Sequence, residues 1–283
     1  MTRLSIIVVT YNSIGVIERC LEALVRHPPT VGHEVVVVDN ASADETASGV
    51  RGGWPGVRVV DAGANLGFAR ASNLGIRQTS GELVLLLNPD TAVRAGALDA
   101  LIRVIDARPD VAVIGPRLLD EHGRPELSFG SMIGPWAELR QKALVIGSQR
   151  GVPLARAYVC RLTARPREVD WVSGACLLVR RADADAVGLM DERYFLYAED
   201  VDFCAAIRAR GRTVLFTPAA EVVHLRGRSA ASMPAAAETA YRRSQLAFYA
   251  KHHPRWEPWL RAYLKFRGRL PDMPIDPPGR SRQ

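Results

Sequence analysis

Short apolar runs alternate with amphipathic stretches along the first 115 residues of the chain. The runs are apolar on both faces, as buried parallel strands are, and they cover Leu4 to Thr10, Glu34 to Asn40, Val57 to Asp61, Glu82 to Asn88 and Val111 to Gly115. The stretches between them have helical spacing and cover Gly15 to His27, Ala43 to Arg51, Phe68 to Gln78 and Ala95 to Arg108. This order of strands and helices predicts a doubly wound, Rossmann-like α/β sheet.

The pattern is looser over residues 116–169, where Arg, Gly and Pro are frequent and helical spacing is visible only around Trp136. We expect surface excursions over a cleft in this segment. Ordered patterns then resume with a strand and short helix over residues 169–188 and a helix from Glu199 to Gly211. Two strand-like pieces and a loop follow over residues 213–218 and 220–229.

Length and composition limit the class of protein. With 283 residues, of which 48% are hydrophobic and 24% charged, the chain can bury one sizeable core. No apolar run approaches the ~18 residues that a membrane span needs, and the apolar run near the N-terminus is too short for a signal peptide. The four cysteines are scattered without the spacing of a zinc site, which suits reduced thiols and a cytoplasmic setting.

The net charge of +7 favours an anionic partner, such as nucleotide phosphates, nucleic acid or a lipid surface. No nucleic-acid-binding module is recognisable, so we do not expect nucleic acid as the partner. The tail from residue 236 onward is basic, aromatic and predicted to be helical. It suits peripheral contact with an anionic membrane, with packing on the rest of the chain as the alternative. We expect its last ~10 residues, rich in Pro and Arg, to be disordered.

Polar residues stand at the carboxyl ends of three predicted strands, where ligands bind in sheets of this type. They are Thr10, Tyr11 and Asn12; Asp39, Asn40 and Ser42; and Asn88 and Asp90. The Asp39 carboxylate can accept hydrogen bonds from a nucleoside, although Ser42 and Asp44 also suit simple helix capping. Asp90 follows Pro89 and can hold a divalent cation that bridges to phosphates, with an Asn-Pro-Asp turn as the alternative.

A segment rich in glycine and asparagine precedes the third predicted helix. It contains Gly63, Gly67 and Gly75 together with Asn65 and Asn73. These residues indicate a backbone pressed close to another group, with a glycine turn and an Asn cap as the alternative. The spacing is not GxGxxG and no P-loop is present, so neither a dinucleotide fold nor a P-loop NTPase is predicted.

Three carboxylates follow the apolar run that begins at Tyr194. On a helix beginning near Glu199, Asp200 lies on the same side as the apolar Phe203. Glu199 and Asp202 are then expected on other sides of the helix. Partial desolvation on the inward side would make Asp200 the better base. Attraction of acids to a helix N-terminus explains three carboxylates without catalysis, but it does not explain why one faces inward.

His224 ends a strand-like piece and is followed by Arg226 and Arg228 in a glycine-containing loop. A neutral imidazole can ligate a metal, and the arginines could hold a diphosphate. Since a lone histidine is more often structural, this interpretation depends on the residues around it.

Seven segments together resemble the nucleotide-sugar glycosyltransferases of family 2, which have the GT-A fold, and bacterial cell-wall and polysaccharide rhamnosyltransferases most of all. The segments are SIIVVTYN, VVVVDNAS, NLGFARASNLGI, LLLNPDT, VSGACLLVRR, DERYFLYAEDVDFCAAIRARG and AEVVHLRGRS. They follow the order of the family over roughly residues 3–230. The resemblance implies a mixed sheet in one GT-A domain. Residues 1–115 would be its nucleotide-sugar-binding half, residues 116–235 its acceptor-binding and catalytic half, and residues 236–283 a helical tail outside the match.

The resemblance also implies roles for individual residues. The nucleotide-sugar site would comprise Thr10, Tyr11, Asn12, Asp39, Asn40, Ser42, Asn65, Gly67, Phe68, Asn73, Asn88, Asp90, Arg226 and Arg228. Trp171, Ser173, Gly174 and Glu199 would bind the acceptor, Asp90 and His224 would bind a divalent metal (Mn2+ or Mg2+), and Asp200 would be the catalytic base. Asn88 stands where the family's Asp-x-Asp signature has its first acid, so the metal would be held less tightly or be less strictly required.

The implied reaction is sugar transfer with inversion, in which Asp200 takes the proton of the attacking hydroxyl while the cation and arginines neutralise the leaving diphosphate. The expected donor is dTDP-rhamnose, and the expected acceptor is a cell-envelope or polyprenyl-diphosphate-linked glycan. Galactosyl or glucosyl transfer from a UDP-sugar is the alternative, as is a nucleotide-sugar-binding protein without turnover. We expect a cytoplasmic protein at the inner face of the membrane. The oligomeric state stays open, a homodimer being one option.

Overall fold

A computed structural model describes residues 2–225 and 234–271 of the chain. The strands in these ranges are β1 Leu4–Thr10, β2 His33–Asp39, β3 Val57–Asp61, β4 Leu83–Leu87, β5 Thr91–Val93, β6 Val111–Leu119, β7 Phe129–Gly130, β8 Arg167–Glu168, β9 Trp171–Val172, β10 Cys176–Arg180 and β11 Thr213–His224. The helices are α1 Ile14–Arg26, α2 Thr46–Gly53, α3 Phe68–Arg77, α4 Ala97–Ala107, α5 Pro135–Gln149, α6 Pro153–Leu162, α7 Arg181–Ala186, α8 Glu199–Ala209, α9 Pro234–His252 and α10 Glu257–Phe266.

The main sheet is mixed and has the strand order β3-β2-β1-β4-β10-β6-β11-β5, with β8 also paired to β11. Strands β3, β2, β1 and β4 are parallel to one another. Strand β10 is antiparallel between β4 and β6, whereas β11 is parallel to β6 and antiparallel to β5. The predicted doubly wound mixed sheet is confirmed, and strands from both predicted halves share it. β7 and β9 form a separate two-stranded sheet.

Helices cover both faces of the sheet because alternate residues of each central strand point to opposite sides. Ile6 of β1 belongs to a buried cluster with Leu21 of α1 and Leu101 of α4. Its neighbour Ile7 belongs to the opposite cluster, which includes Phe203 of α8. The helix that carries the three acids is therefore anchored directly on the sheet.

The predicted strands and helices of the first 115 residues begin and end within three residues of their observed bounds, except that β6 ends at Leu119, four residues later than predicted. The short strand β5 was not predicted. One expectation for this region is wrong. Strand β3 is not buried on both faces, since all five of its residues are partly or fully exposed. It is the edge strand and pairs with β2 alone in the described sheet, so one of its edges is open. Its valines, Val57, Val59 and Val60, are therefore only partly buried against the two core clusters.

The surface position expected for residues 116–169 agrees with α5, which has no buried residue. It is wrong for the start of the segment, where Leu118 and Leu119 are buried in the sheet. Strand β6 continues to Leu119, and half of the remainder forms α5 and α6. Neither helix gives a clear apolar stripe, because α5 has no buried residue and α6 has only Val159. Pro135 and Pro153 at the first helical positions were the available signals for the two helix starts.

The two strand-like pieces around Pro218 form one strand, β11, which pairs with β6 along both parts. The pairing shifts register between Thr217 and Glu221. Pro218 has no N–H to donate to a neighbouring strand, so an irregularity is needed at this position for the strand to continue.

The predicted helical tail is present as α9 and α10. Helix α9 packs on the rest of the chain through Leu246, Phe248 and Tyr249, which are all buried. The residues predicted to be disordered at the C-terminus lie outside the described ranges. None of the helices in the described part of the chain combines the length and apolar character that crossing a membrane requires.

Candidate active site

The loops that follow β1 and β2 are bound to each other. Asn12 and Ala41 both adopt the left-handed conformation, with φ of 49° and 61°. The Asn12 N–H donates to Ser42 Oγ at 2.9 Å, and the Ala43 N–H donates to Asn12 Oδ1 at 2.7 Å. The predicted nucleotide-binding residues of the two strand ends therefore form one rigid unit, with Tyr11 half-buried beside it.

Two buried oxygen atoms at these strand ends have no hydrogen-bond partner among the described residues. They are Thr10 Oγ1 and Asp39 Oδ1. The other Asp39 oxygen accepts the Ser42 N–H at 3.0 Å, which holds the carboxylate in place. Ser42 does not cap α2, because that helix begins at Thr46. A buried carboxylate oxygen without a partner is costly, so it marks a place where a ligand N–H or O–H can donate.

Gly67 lies where two loops approach most closely. Its φ is +80°, and a Cβ at this position would stand 2.3 Å from the carbonyl oxygen of Phe195. The next N–H, of Phe68, donates to that same oxygen at 2.7 Å. Asn40 Nδ2 donates to Asn65 Oδ1 at 2.9 Å, which ties the glycine loop to the end of β2. The close backbone contact predicted for this segment is therefore present, and it joins the nucleotide side to residues 194–198.

Asn73 is not brought to this group of residues, contrary to the prediction. It is fully buried in α3, and its amide bonds both the N–H and the carbonyl of Met190. Its Nδ2 also donates to Glu192 at 3.0 Å. With its amide engaged inside the protein, Asn73 fastens α3 to the segment before α8 and is not available to a nucleotide.

Asp90 and His224 come together because β5 and β11 are paired, with His224 opposite Thr91. Asp90 is buried, and its Oδ1 lies 3.4 Å from His224 Nε2 without forming a hydrogen bond within the described structure. The half-exposed Asn88 stands two residues earlier, and its N–H donates to Ala175 O at 2.9 Å. The predicted acid and histidine are thus neighbours at the sheet edge.

Glu126 is a third member of this group that the sequence did not reveal. Its Oε2 lies 3.6 Å from His224 Nδ1, on the side of the ring away from Asp90. Burial lowers the pKa of His224, but the carboxylates of Asp90 and Glu126 raise it more, and the net pKa lies above 6.5. Glu126 is far from His224 in the chain and no motif contains it, so no sequence signal could have found it.

Asp90 and His224 fit a metal as a partial ligand set. No three Asp, Glu, His or Cys side chains within residues 2–225 and 234–271 are arranged to hold an ion by themselves. The buried Asp90 Oδ1 without a hydrogen-bond partner is nevertheless a suitable oxygen ligand. Mg2+ and similar ions are often bound through one or two protein groups, with substrate phosphates and water completing the shell.

Asp200 lies in the first turn of α8, facing the loop before β10. Its Oδ2 accepts the Gly174 N–H at 2.9 Å, and its Oδ1 accepts the Val201 N–H at 2.8 Å. Phe68 also borders Gly174. Burial raises the pKa of Asp200, and the N–H groups of Gly174 and Val201 offset part of this rise. The result is a half-buried, oriented carboxylate with raised basicity.

Residues 173–175 join the predicted base, Asp200, to the sheet edge. Gly174 bonds Asp200, while Ala175 bonds Asn88, two residues before Asp90. Ser173 is half-buried in the same segment, and its Oγ accepts the Ala175 N–H at 3.3 Å. The predicted acceptor residues Ser173 and Gly174 therefore lie between the predicted base and the predicted metal ligands.

Glu199 precedes Asp200 and is buried, and its Oε2 has no hydrogen-bond partner within the described ranges. Burial raises its pKa, and the negative charge of Asp200 raises it further. The residues before it, Tyr197 and Ala198, both have φ of +69°. Two consecutive left-handed residues without glycine are energetically unfavourable and are typical of functional sites.

The predicted distribution of the three acids around α8 is wrong. Glu199 and Asp202 are 6% and 2% exposed, whereas Asp200 is the more accessible acid. Asp202 accepts from Lys251 Nζ at 2.8 Å and lies 2.6 Å from His252 Nε2. Lys251 and His252 of α9 lie against the side of α8 that carries Asp202, which is why Asp202 is buried.

Trp171 is placed differently from the predicted acceptor contact. Its indole is 9% exposed in the core, and its Nε1–H donates to Ser131 O at 2.9 Å. It supports the segment that holds Ser173 and Gly174, and its own ring is turned into the protein. The predicted diphosphate ligands Arg226 and Arg228 lie outside the described residues.

Comparison with known proteins decides the family. The sequence model of the family described as Glycosyl transferase family 2 matches residues 5–191. The chain belongs to glycosyl transferase family 2. The resemblance drawn from the sequence segments is therefore confirmed, and the protein is a glycosyltransferase.

Characterised relatives of this glycosyltransferase cover most of its length. It is 32% identical over 277 residues to N-acetylglucosaminyl-diphospho-decaprenol L-rhamnosyltransferase of Mycobacterium tuberculosis, covering 89% of this chain and 86% of that protein. It is 27% identical over 228 residues to the low-salt glycan biosynthesis hexosyltransferase Agl10 of Haloferax volcanii, covering 78% and 66% of the two chains.

Solved structures confirm the GT-A fold of this family 2 glycosyltransferase. Mannosyltransferase PcManGT from Pyrobaculum calidifontis, in complex with GDP-Man and Mn2+, has a TM-score of 0.62 at 22% identity, covering 92% of this chain and 68% of that one. S. aureus TarS 1-349 in complex with UDP-GlcNAc has a TM-score of 0.58 at 18% identity, covering 94% and 73%.

Proposed function

We propose that this glycosyltransferase transfers L-rhamnose from dTDP-rhamnose, with inversion, to a hydroxyl of a polyprenyl-diphosphate-linked glycan of the cell envelope. The observation that carries the donor and acceptor is the 32% identity, over 89% of the chain, to a rhamnosyltransferase whose name specifies a decaprenol-linked diphospho-N-acetylglucosamine acceptor. In this proposal the enzyme works at the cytoplasmic face of the membrane, where a lipid-linked acceptor is accessible.

The donor side of the proposal rests on residues 1–115. The unpartnered oxygens of Asp39 and Thr10 would accept from the nucleoside, and Asn40 and Gly67 would hold the loop that closes the pocket. In this proposal the same edge of the sheet is also lined by Tyr11, Asn12, Ser42, Asn65, Phe68 and Asn88. The roles of Arg226 and Arg228 at the diphosphate stay predictions.

The acceptor side rests on residues 116–235, with residues 236–283 as a tail. Asp200 would remove the proton from the acceptor hydroxyl as that oxygen attacks the anomeric carbon from the face opposite the nucleotide. The Gly174 N–H keeps the carboxylate aimed at this position. Ser173 and Glu199 would contact the acceptor sugar. Only one carboxylate is needed for proton transfer, because the diphosphate leaves without being protonated by an acid.

A divalent cation would be held by Asp90 and His224 and, when bound, would neutralise charge on the leaving diphosphate.

We expect Glu126→Gln to weaken Mn2+ binding in the presence of dTDP by roughly 10- to 100-fold, because Glu126 faces the far nitrogen of the His224 ring and orients it. Calorimetric titration of Mn2+ measures this change. Glu121→Gln, at an exposed position, serves as the matched control. Equal affinity of the two variants for Mn2+ would show that Glu126 does not contribute to the metal site.

The donor is tested by thermal stabilisation with nucleotide sugars. We expect dTDP-rhamnose with Mn2+ or Mg2+ to raise the melting temperature, since a ligand that binds only the folded state stabilises it by about 2.7 kcal/mol at 100 times its Kd. UDP-glucose and UDP-galactose provide the matched comparison. A larger rise in melting temperature with either UDP-sugar would indicate that the donor is UDP-glucose or UDP-galactose and not dTDP-rhamnose.

A further inference from the structure

One side of α10 carries exposed aromatic side chains. Trp259, Tyr263 and Phe266 are separated by four and three residues, so they lie on the same side of the helix; we call them the aromatic stripe. They are 73%, 53% and 88% exposed. Leu260 and Leu264 occupy a different side and face the core, with Leu264 fully buried. Helix α10 therefore packs on the protein through its leucines while the aromatic stripe faces solvent.

Positive charge surrounds the aromatic stripe. Residues 251–269 contain six Lys or Arg and a single Glu. Three of these cations, Lys251, Arg261 and Arg269, form ion pairs with carboxylates. The other three, Arg255, Lys265 and Arg267, have no ion pair among the residues that the structure describes and carry the net positive charge. Lys265 and Arg267 are both exposed at the C-terminal end of α10, and the Arg267 guanidinium lies 5.9 Å from the centre of the Tyr263 ring. Aromatic rings beside cations match an anionic lipid surface, because the rings can enter the boundary between headgroups and acyl chains while the cations stay near the lipid phosphates. Two copies of this surface would instead repel each other.

Helix α9 connects the aromatic stripe with the loop that precedes the base. Ser244 Oγ donates to Leu196 O at 2.7 Å, and the Tyr241 ring packs edge-on against Tyr197 at 5.6 Å. From Ser244, α9 continues for about 12 Å to its end at His252, shortly before α10 begins. A membrane surface bound through α10 would thus lie within a short distance of the loop that precedes Asp200.

We propose that the aromatic stripe and the cations beside it dock the enzyme on an anionic membrane surface. The proposal deepens the proposed function, since a polyprenyl-linked acceptor resides in the bilayer, and it rests on that function for its purpose. The physical basis of the proposal is the combination of exposed aromatic rings and neighbouring cations on the surface of α10. Docking through this surface would hold the loop before Asp200 near the plane in which the acceptor's headgroup lies.

Vesicle co-sedimentation of the full chain tests the proposal. The parent should bind vesicles of phosphatidylglycerol and phosphatidylcholine, bind phosphatidylcholine alone more weakly, and lose binding as salt rises. The combined variant Trp259→Ala, Tyr263→Ala and Phe266→Ala should bind the anionic vesicles about tenfold or more weakly. Its melting temperature should stay close to that of the parent, because the three side chains are exposed.

Val25→Ala is the control for loss of exposed apolar surface, since Val25 on α1 is 66% exposed; it should bind vesicles like the parent. Equal binding by the combined variant and the parent overturns the proposal, as does a parent that binds no anionic vesicle. Two further outcomes also overturn it: a dimer in light scattering that the combined variant breaks while vesicle binding persists, and tighter binding to duplex DNA than to vesicles. Thermal stabilisation by dTDP-rhamnose, measured without lipid, reports on the proposed function separately.

Discussion

Asp200→Asn is expected to reduce sugar transfer by roughly 10²- to 10⁴-fold, the usual contribution of a general base. The side-chain amide has the size of the carboxylate and can still accept the Gly174 N–H, which Asp200 now accepts at 2.9 Å. It cannot take a proton from the acceptor hydroxyl. Donor affinity should therefore stay close to that of the parent, because no donor contact is removed. Turnover assays with saturating donor, together with calorimetric titration of dTDP-rhamnose, measure the two effects.

The pH profile separates a base from a residue that only shapes the loop. Since burial raises the pKa of Asp200 above its ordinary value of 3.8, transfer by the parent should fall as the pH drops through that raised value and the carboxylate becomes protonated. The residual activity of Asp200→Asn should lack this acid limb. Asp185→Asn, an exposed position on α7, is the matched control and should keep parental turnover. Full activity in Asp200→Asn would show that another group accepts the proton.

Asp202→Ala is expected to destabilise the fold by about 3 kcal/mol, because it removes one partner from a buried charge cluster. This carboxylate is contacted by Lys251 Nζ at 2.8 Å, by His252 Nε2 at 2.6 Å and by the Tyr194 hydroxyl at 3.3 Å. Lys251 keeps Asp191 as a partner at 2.8 Å, which prevents a still larger loss. Urea unfolding followed by circular dichroism measures the free energy of unfolding.

The matched control for Asp202 is an exposed ion pair. Arg3 and Asp106 are 2.6 Å apart, with both side chains about 40% exposed. Asp106→Ala should lower the free energy of unfolding by at most about 1 kcal/mol, because water screens the pair and hydrates the remaining charge. Equal losses in the two variants would mean that the contact between α8 and α9 contributes no more to stability than an exposed surface pair.

The first half of the fold could be predicted because its strands are central and buried. A run that is apolar on both faces, such as β1, is buried on both faces only inside a sheet. The polar residues that end such parallel strands must then lie together at the edge formed by the carboxyl ends. That reasoning placed Thr10 beside Asp39, which are opposite each other in the observed register. The pairing of Asp90 with His224 was implied only by the family resemblance, because their closeness depends on the pairing of β5 with β11, which the sequence does not encode locally.

The segment over residues 116–169 could not be predicted in the same way. Helix α5 has no buried residue, so the helical spacing visible around Trp136 does not mark a side that faces the core. Helix propensity alone is a weak signal, because most of the stability of a helix in a protein comes from packing. The same limit applies to the tail, where the aromatic residues showed that a helix was present but not which of its sides is buried.

The sequence by itself determined the family, the central sheet and the identity of the chemical groups, because these depend on local patterns and ordered motifs that need no distant partner. Only the tertiary structure decided the surroundings of those groups. Asp202 became a structural acid through α9, Asn73 was used to fasten a loop, and Glu126 joined His224 from a distant part of the chain. The physical reason is that burial and charge pairing depend on which elements meet in space, and spacing along one helix or strand carries no information about its neighbours.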